Sequence, residues 1–125
     1  KLLSALSLPD SLQTIGTYAF QNCSALETFS LNSDSIALGE KAFYNSGLKT
    51  FSVAGSVSIS QKAFQYCSAL STVSIGSDSS IGTYAFQYCT GLTSFSIPDS
   101  VTSIGDFVFV NCEGMGSIKL SKSSI

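Results

Sequence analysis

A short unit repeats along nearly the whole chain, and that repetition constrains the fold more than any other feature. Ala-Phe recurs at Ala19-Phe20, Ala42-Phe43, Ala63-Phe64 and Ala85-Phe86, with Val108-Phe109 as a fifth copy, so the phenylalanines stand 23, 21, 22 and 23 residues apart. Three residues after each Phe comes a small side chain: Cys23, Ser46, Cys67, Cys89 or Cys112. An apolar-x-x-apolar-x-apolar pattern follows as Leu26/Phe29/Leu31, Leu48/Phe51/Val53, Leu70/Val73/Ile75, Leu92/Phe95/Ile97 and Met115/Ile118/Leu120, and a further copy, Leu3/Leu6/Leu8, opens the sequence. Before each Ala-Phe lies Ile15-Gly16, Leu38-Gly39, Ile59-Ser60, Ile81-Gly82 or Ile104-Gly105. A period of 21–23 residues sustained for about five and a half copies is the mark of one supersecondary unit stacked on itself.

Each unit can be built from local physics. In Leu92-Thr-Ser-Phe95-Ser-Ile97 the apolar residues Phe95 and Ile97 alternate with polar ones, which is the period of a half-buried strand. Pro-Asp-Ser at 9–11 and 98–100, and Ser-Asp-Ser at 33–35 and 77–79, are turn formers that end the strand. The Ile-Gly step predicts a sharp bend, because glycine tolerates positive φ. The stretch around Ala-Phe is too short for a stable helix and reads as a 3₁₀ or single helical turn that sinks its Phe into the core. A unit of this size cannot bury its own apolar side, so stacking must do it. The expected architecture is a β-rich repeat solenoid over 1–125 with one parallel sheet. Its strand rungs fall near 3–8, 26–31, 48–53, 70–75, 92–97 and 115–120.

The string Ile97-Pro-Asp-Ser-Val101-Thr-Ser-Ile104-Gly105 followed by Phe109-x-x-Cys112, and the matching run from Leu8-Pro-Asp-Ser-Leu12 through Ile15-Gly16-Thr-Tyr-Ala19-Phe20-Gln-Asn-Cys23-Ser-Ala-Leu26, resemble the repeat of BspA-like leucine-rich repeat proteins. The resemblance implies a right-handed leucine-rich-repeat superhelix with a parallel sheet on one face. It also implies a surface or secreted protein, often adhesive. The second and third units depart from the pattern: Ser46 stands for Cys, Ser60 for Gly, and their loops lack Pro.

Composition narrows the function classes. Charged residues are 11% of the chain and the net charge is −2, with six lysines, no arginine and no histidine. That leaves no basic footprint for nucleic acid and removes the commonest general base and metal ligand. No apolar run approaches the ~18 residues of a membrane span. Glu27, Glu40 and Glu113 fall at different repeat positions, so no carboxylate pair for sugar hydrolysis is suggested. Lys41 and Lys62 share a position and read as solvated turn lysines. No catalytic residue, cofactor or metal is expected.

Cys23, Cys67, Cys89 and Cys112 share one repeat position, so they should stack in a column. Rungs ~4.8 Å apart are wider than the ~3.8 Å between Cβ atoms of a disulfide, which favours buried thiols over a Cys67–Cys89 or Cys89–Cys112 bridge. Asp10, Asp34, Asp78 and Asp99 fall in equivalent loops; they read as turn chemistry, with a calcium ladder as the alternative. Tyr66 and Tyr88 share a position with Asn22, Asn45 and Asn111, and Tyr18 with Tyr84; flank packing is favoured over a sugar-stacking patch. Asn22-Cys23-Ser24 spells a glycosylation sequon, but its middle residue is expected to face the core.

Projecting the strand alternation outward gives Thr28, Ser30, Thr50, Ser52, Thr72, Ser74, Ser94 and Ser96, a flat array of small hydroxyls that is the candidate interaction face. At the ends, Leu3, Leu6, Leu8, Met115, Ile118 and Leu120 are candidate stacking rungs, since no capping unit is evident and uncapped solenoids can add head to tail. The sequence thus predicts a non-enzymatic extracellular or cell-surface scaffold for adhesion or protein recognition, its partner a protein or matrix component. The alternative is a self-assembling structural protein whose uncapped ends stack into a filament.

Overall fold

The structure, a computed structural model, describes residues 8–96, 98, 100–114 and 117–119. Ten short strands follow one another: β1 Thr14–Ile15, β2 Thr28–Leu31, β3 Ser35–Leu38, β4 Thr50–Val53, β5 Ser56–Ile59, β6 Thr72–Ser74, β7 Ser80–Ile81, β8 Ser94–Ser96, β9 Ser103–Ile104 and β10 Ser117–Lys119. Odd and even strands go to different faces of a β-solenoid. The even strands pair in parallel as β2-β4-β6 and as β8-β10, with β8 beside β6 on the same face. The odd strands form a second parallel sheet, β1-β3-β5-β7-β9. The leucine-rich-repeat solenoid is therefore as expected, with one addition: a full second sheet where the sequence reading placed only a bend. Ser35-Ile-Ala-Leu38 and Ser56-Val-Ser-Ile59 alternate exposed and buried residues, so that strand's period was present in the sequence but short.

The third face, around Ala-Phe, contains no helix among the described residues. It is a run of β-turns: in the second repeat the amides of Ala42, Tyr44 and Ser46 donate to the carbonyls of Gly39, Lys41 and Phe43 within the repeat. The intervening amides of Lys41, Phe43 and Asn45 donate to Gln61, Ala63 and Gln65 of the next repeat at 3.3, 2.8 and 2.9 Å. Alternate amides thus serve the turn and the stack, which satisfies the backbone of a face that is neither helix nor strand. A 3₁₀ or helical turn would direct every amide back along its own repeat and leave no donor to bridge the rungs.

This face also corrects the role assigned to glycine. None of the described glycines has positive φ. Gly39 is required by proximity instead: a Cβ there would lie 2.5 Å from the Thr17 backbone nitrogen. Gly105 meets Thr83 in the same way, also at 2.5 Å.

The core is a phenylalanine column. Phe20, Phe43, Phe64, Phe86 and Phe109 stack with ring centroids 5.2, 5.2, 5.0 and 5.9 Å apart. Phe29, Phe51 and Phe95 of the even strands meet the column edge-on, as Phe51 meets Phe64 at 4.9 Å and 69°. Edge and face contacts of this kind suit the ring quadrupole. Leu26, Leu48, Leu70 and Leu92 close the corner after each turn and are fully buried. Where the chain buries a hydroxyl it is bonded: Ser79 Oγ accepts from the Val57 amide at 2.9 Å and donates to the Gly76 carbonyl at 2.7 Å.

Candidate interaction faces

The even-strand sheet turns Phe29, Leu31, Phe51, Val53 and Val73 inward, so the residues between them must face out. Thr28, Ser30, Ser52, Thr72 and Ser74 are exposed and Thr50 is half-buried. The register stacks Thr28, Thr50 and Thr72 in one row and Ser30, Ser52 and Ser74 in the next. Ser94 and Ser96 of β8 pair with Ser117 and Lys119 of β10; their side chains lie outside the described residues. Of the proposed end rungs, Leu8 is half-buried against the core and Ile118 lies in β10, while Leu3, Leu6, Met115 and Leu120 lie outside the described residues. The second sheet carries its own outward row, Thr14, Ala37, Ser58, Ser80 and Ser103, in register across five strands. Sequence reasoning missed this row; its signal was the alternation before each Ile-Gly step. Strands β1–β7 and β9 contain no charged residue, so neither sheet presents a charge outward over those rungs.

The turn face is chemically different. Two positions per repeat take a left-handed backbone: Tyr18 and Asn22, Lys41 and Asn45, Lys62 and Tyr66, Tyr84 and Tyr88, Phe107 and Asn111 all have φ between 55° and 64°. Asn suits that region, whereas Tyr, Phe and Lys pay a steric cost of about 1–2 kcal/mol each. These side chains nonetheless remain out of the core: Tyr18 is 49% exposed, Tyr66 42% and Phe107 60%. They interact along the stack. Tyr66 and Tyr88 lie parallel at 4.7 Å, Tyr84 and Phe107 at 5.4 Å, and Asn45 Nδ2 donates to Asn22 Oδ1 at 2.8 Å. Lys41 Nζ lies 5.0 Å from the Tyr44 ring centroid and 5.8 Å from that of Tyr18, within cation–π range. Asn22 and Ser24 of the sequon are exposed and Cys23 is half-buried.

The cysteine column has a specific chemistry. The thiols of Cys67, Cys89 and Cys112 donate to the carbonyls of Phe43, Phe64 and Phe86 at 3.0, 3.1 and 3.0 Å, each reaching across one repeat. Ser46, at the same position, faces Cys67 Sγ at 3.5 Å. Burial pushes the Cys67 thiol up to about 11. Burial, reinforced by the neighbouring thiols, pushes Cys89 up further, and burial also raises Cys112. These sulfurs are small core side chains with little thiolate character.

At the loop corner, Asp10, Ser11, Gln13, Ser33, Asp34 and Ser35 line a shallow cleft of about 170 Å³. Ser33 Oγ is committed there to the Leu12 and Ser35 carbonyls. Among the described residues, no three Asp, Glu, Cys or His side chains converge as a metal site would require.

The comparisons agree with this architecture. A family model described as a BspA type leucine rich repeat region, in six copies, matches residues 1–115 and 79–125. The crystal structure of a leucine-rich repeat protein from Bacteroides ovatus ATCC 8483 is similar over 94% of this chain, with 25% identity and a TM-score of 0.75. This chain spans 31% of that one. No curated protein matches. The matched repeats cover essentially every unit of the solenoid, and the chain belongs to the BspA-type leucine-rich repeat family.

Proposed function

We propose that the chain is a non-enzymatic recognition scaffold, acting outside the cell or at its surface, that holds a protein or matrix partner against the outer face of the even-strand sheet. The observation that carries this reading is the register of that face: small outward hydroxyls, all exposed except the half-buried Thr50, repeat at every rung from Thr28 and Ser30 to Thr72 and Ser74. A level surface of this kind lets a partner approach the backbone closely, with little side-chain entropy lost on contact. Family membership supports a protein-interaction role.

The test is binding of the purified chain to a panel of purified matrix proteins, with Ser30→Arg and Ser74→Arg as face-blocking variants. A partner whose affinity drops at least about tenfold on either substitution, about 1.4 kcal/mol, supports the reading; equal affinity for wild type and variants overturns the assignment of the face. Light scattering on the same samples separates the self-assembly alternative. Filament formation predicts large species that disappear when Leu6 or Ile118 is replaced by a charged residue.

A further inference from the structure

The turn face has features that folding alone does not call for. Asn22, Asn45 and Asn111 show that the second left-handed position accepts the residue best suited to it, yet Tyr66 and Tyr88 occupy it in the two intervening rungs. These tyrosines are 42% and 36% exposed, so their retention in an unfavourable backbone conformation is not explained by core burial. At the first left-handed position, Lys41 and Lys62 stand on consecutive rungs whose backbones are joined by the bond from the Lys41 amide to the Gln61 carbonyl. Among the described residues, the ion pair present is Lys49 with Glu27, and it involves neither of these lysines. The adjacent carboxylate of Glu40 is instead met by Gln61 Nε2 at 3.4 Å. Two cations one rung apart, ~4.8 Å at the backbone, repel each other and are flanked by exposed aromatic rings.

We propose that the turn face is a second docking surface, for an extended acidic segment of a partner protein running along the solenoid axis. Lys41 and Lys62 meet its carboxylates, and Tyr18, Tyr66 and Tyr88 pack against its backbone. The proposal rests on the reading of the chain as a protein-recognition scaffold and adds to it a surface and a ligand chemistry. Charge complementarity selects the occupant: the lysine pair lacks counter-ions within the described chain, while strands β1–β7 and β9 of the two sheets contain no charged residue. Stacked tyrosines present edges and hydroxyls, which suit an extended main chain with free carbonyl groups.

Other repeats supply substitutions that keep the fold. Lys41→Tyr and Lys62→Tyr install the residue found at positions 18 and 84, and Tyr66→Asn and Tyr88→Asn the residue found at 22, 45 and 111. The probe is a fluorescently labelled peptide of alternating glutamate and proline, which stays extended, followed by anisotropy. The wild type should bind it, and binding should weaken as salt shortens the screening length below ~10 Å. The double lysine variant should lose at least about tenfold in affinity. The double tyrosine variant should lose severalfold with its unfolding midpoint unchanged or raised, an outcome that a purely structural role for the tyrosines would not give. Absence of peptide binding, wild-type affinity in the double lysine variant, equal binding of a lysine-proline peptide, or binding of a sulfated polysaccharide in place of the peptide would each overturn the proposal. Ser74→Arg should leave peptide binding intact. If it abolishes matrix-protein binding while the lysine variants bind no worse than wild type, the recognition reading stands and the turn-face assignment fails.

Discussion

Replacing Phe64 by alanine tests whether the phenylalanine column holds the solenoid together. Phe64 is fully buried. Its ring stacks on Phe43 at 5.2 Å and on Phe86 at 5.0 Å, both within 2° of parallel, and meets Phe51 edge-on at 4.9 Å. A buried Phe→Ala change costs roughly 3–5 kcal/mol, and aromatic pairs are each worth about 0.5–1.5 kcal/mol beyond their area. Three such contacts put Phe64→Ala at the upper end, about 5 kcal/mol. Phe20 has the same repeat position but is half-buried and stacks on Phe43 alone, at 5.2 Å; Phe20→Ala should cost about 2 kcal/mol. Because each repeat is stabilised by its neighbours, the central change also uncouples the two halves of the stack. Guanidinium unfolding followed by circular dichroism resolves the difference. With a slope of roughly 4 kcal/mol/M, the Phe64→Ala midpoint should fall by more than about 1 M and the Phe20→Ala midpoint by about half that. Equal losses in the two variants would refute the argument that stacking depth sets the energetics.

Two further outcomes follow from the same geometry. Gly39→Ala forces a Cβ to within 2.5 Å of the Thr17 backbone nitrogen, whereas a Cβ at Gly16 meets nothing within 4 Å; the first should cost about 1–3 kcal/mol and the second should be neutral or stabilising, as read from thermal unfolding. The raised thiol of Cys67 makes stability fall in alkali: it is protonated in the folded chain up to about 11 against 9.0 for an ordinary thiol. Its contribution is therefore intact below about pH 9 and lost as pH rises toward 11, about 3 kcal/mol in full. Unfolding midpoints measured across that window should flatten in Cys67→Ala, with Cys89 contributing in the same direction.

Much of this was legible in the sequence because its signals are local and repeated. Alternation at Phe29/Leu31 or Phe51/Val53 names the inward side of a strand without any knowledge of its partners, and four copies of Ala-Phe with Val108-Phe109 as the fifth name the column. The outward hydroxyls then follow from the pleat. The second sheet was harder to see: β7 and β9 have two residues each, too few for a period to register, and they are strands only because the rung below supplies their hydrogen bonds. The turn face was read as helical for a similar reason. Apolar residues in a short polar segment suggest a helical turn, and only the neighbouring repeat draws alternate amides outward.

The sequence by itself determined the period, the identity of the core and the family, since those depend on which side chains recur and at what spacing. Tertiary structure alone decided the backbone of the turn face. Inter-rung bonds at residues 18, 20 and 22 of one repeat and their equivalents in the next force two residues per unit into the left-handed region, whatever occupies them. That constraint is non-local, arising from the stack rather than from Tyr66 or Lys41. It places aromatic and cationic side chains such as Tyr66 and Lys41 on the turn face, outside the core.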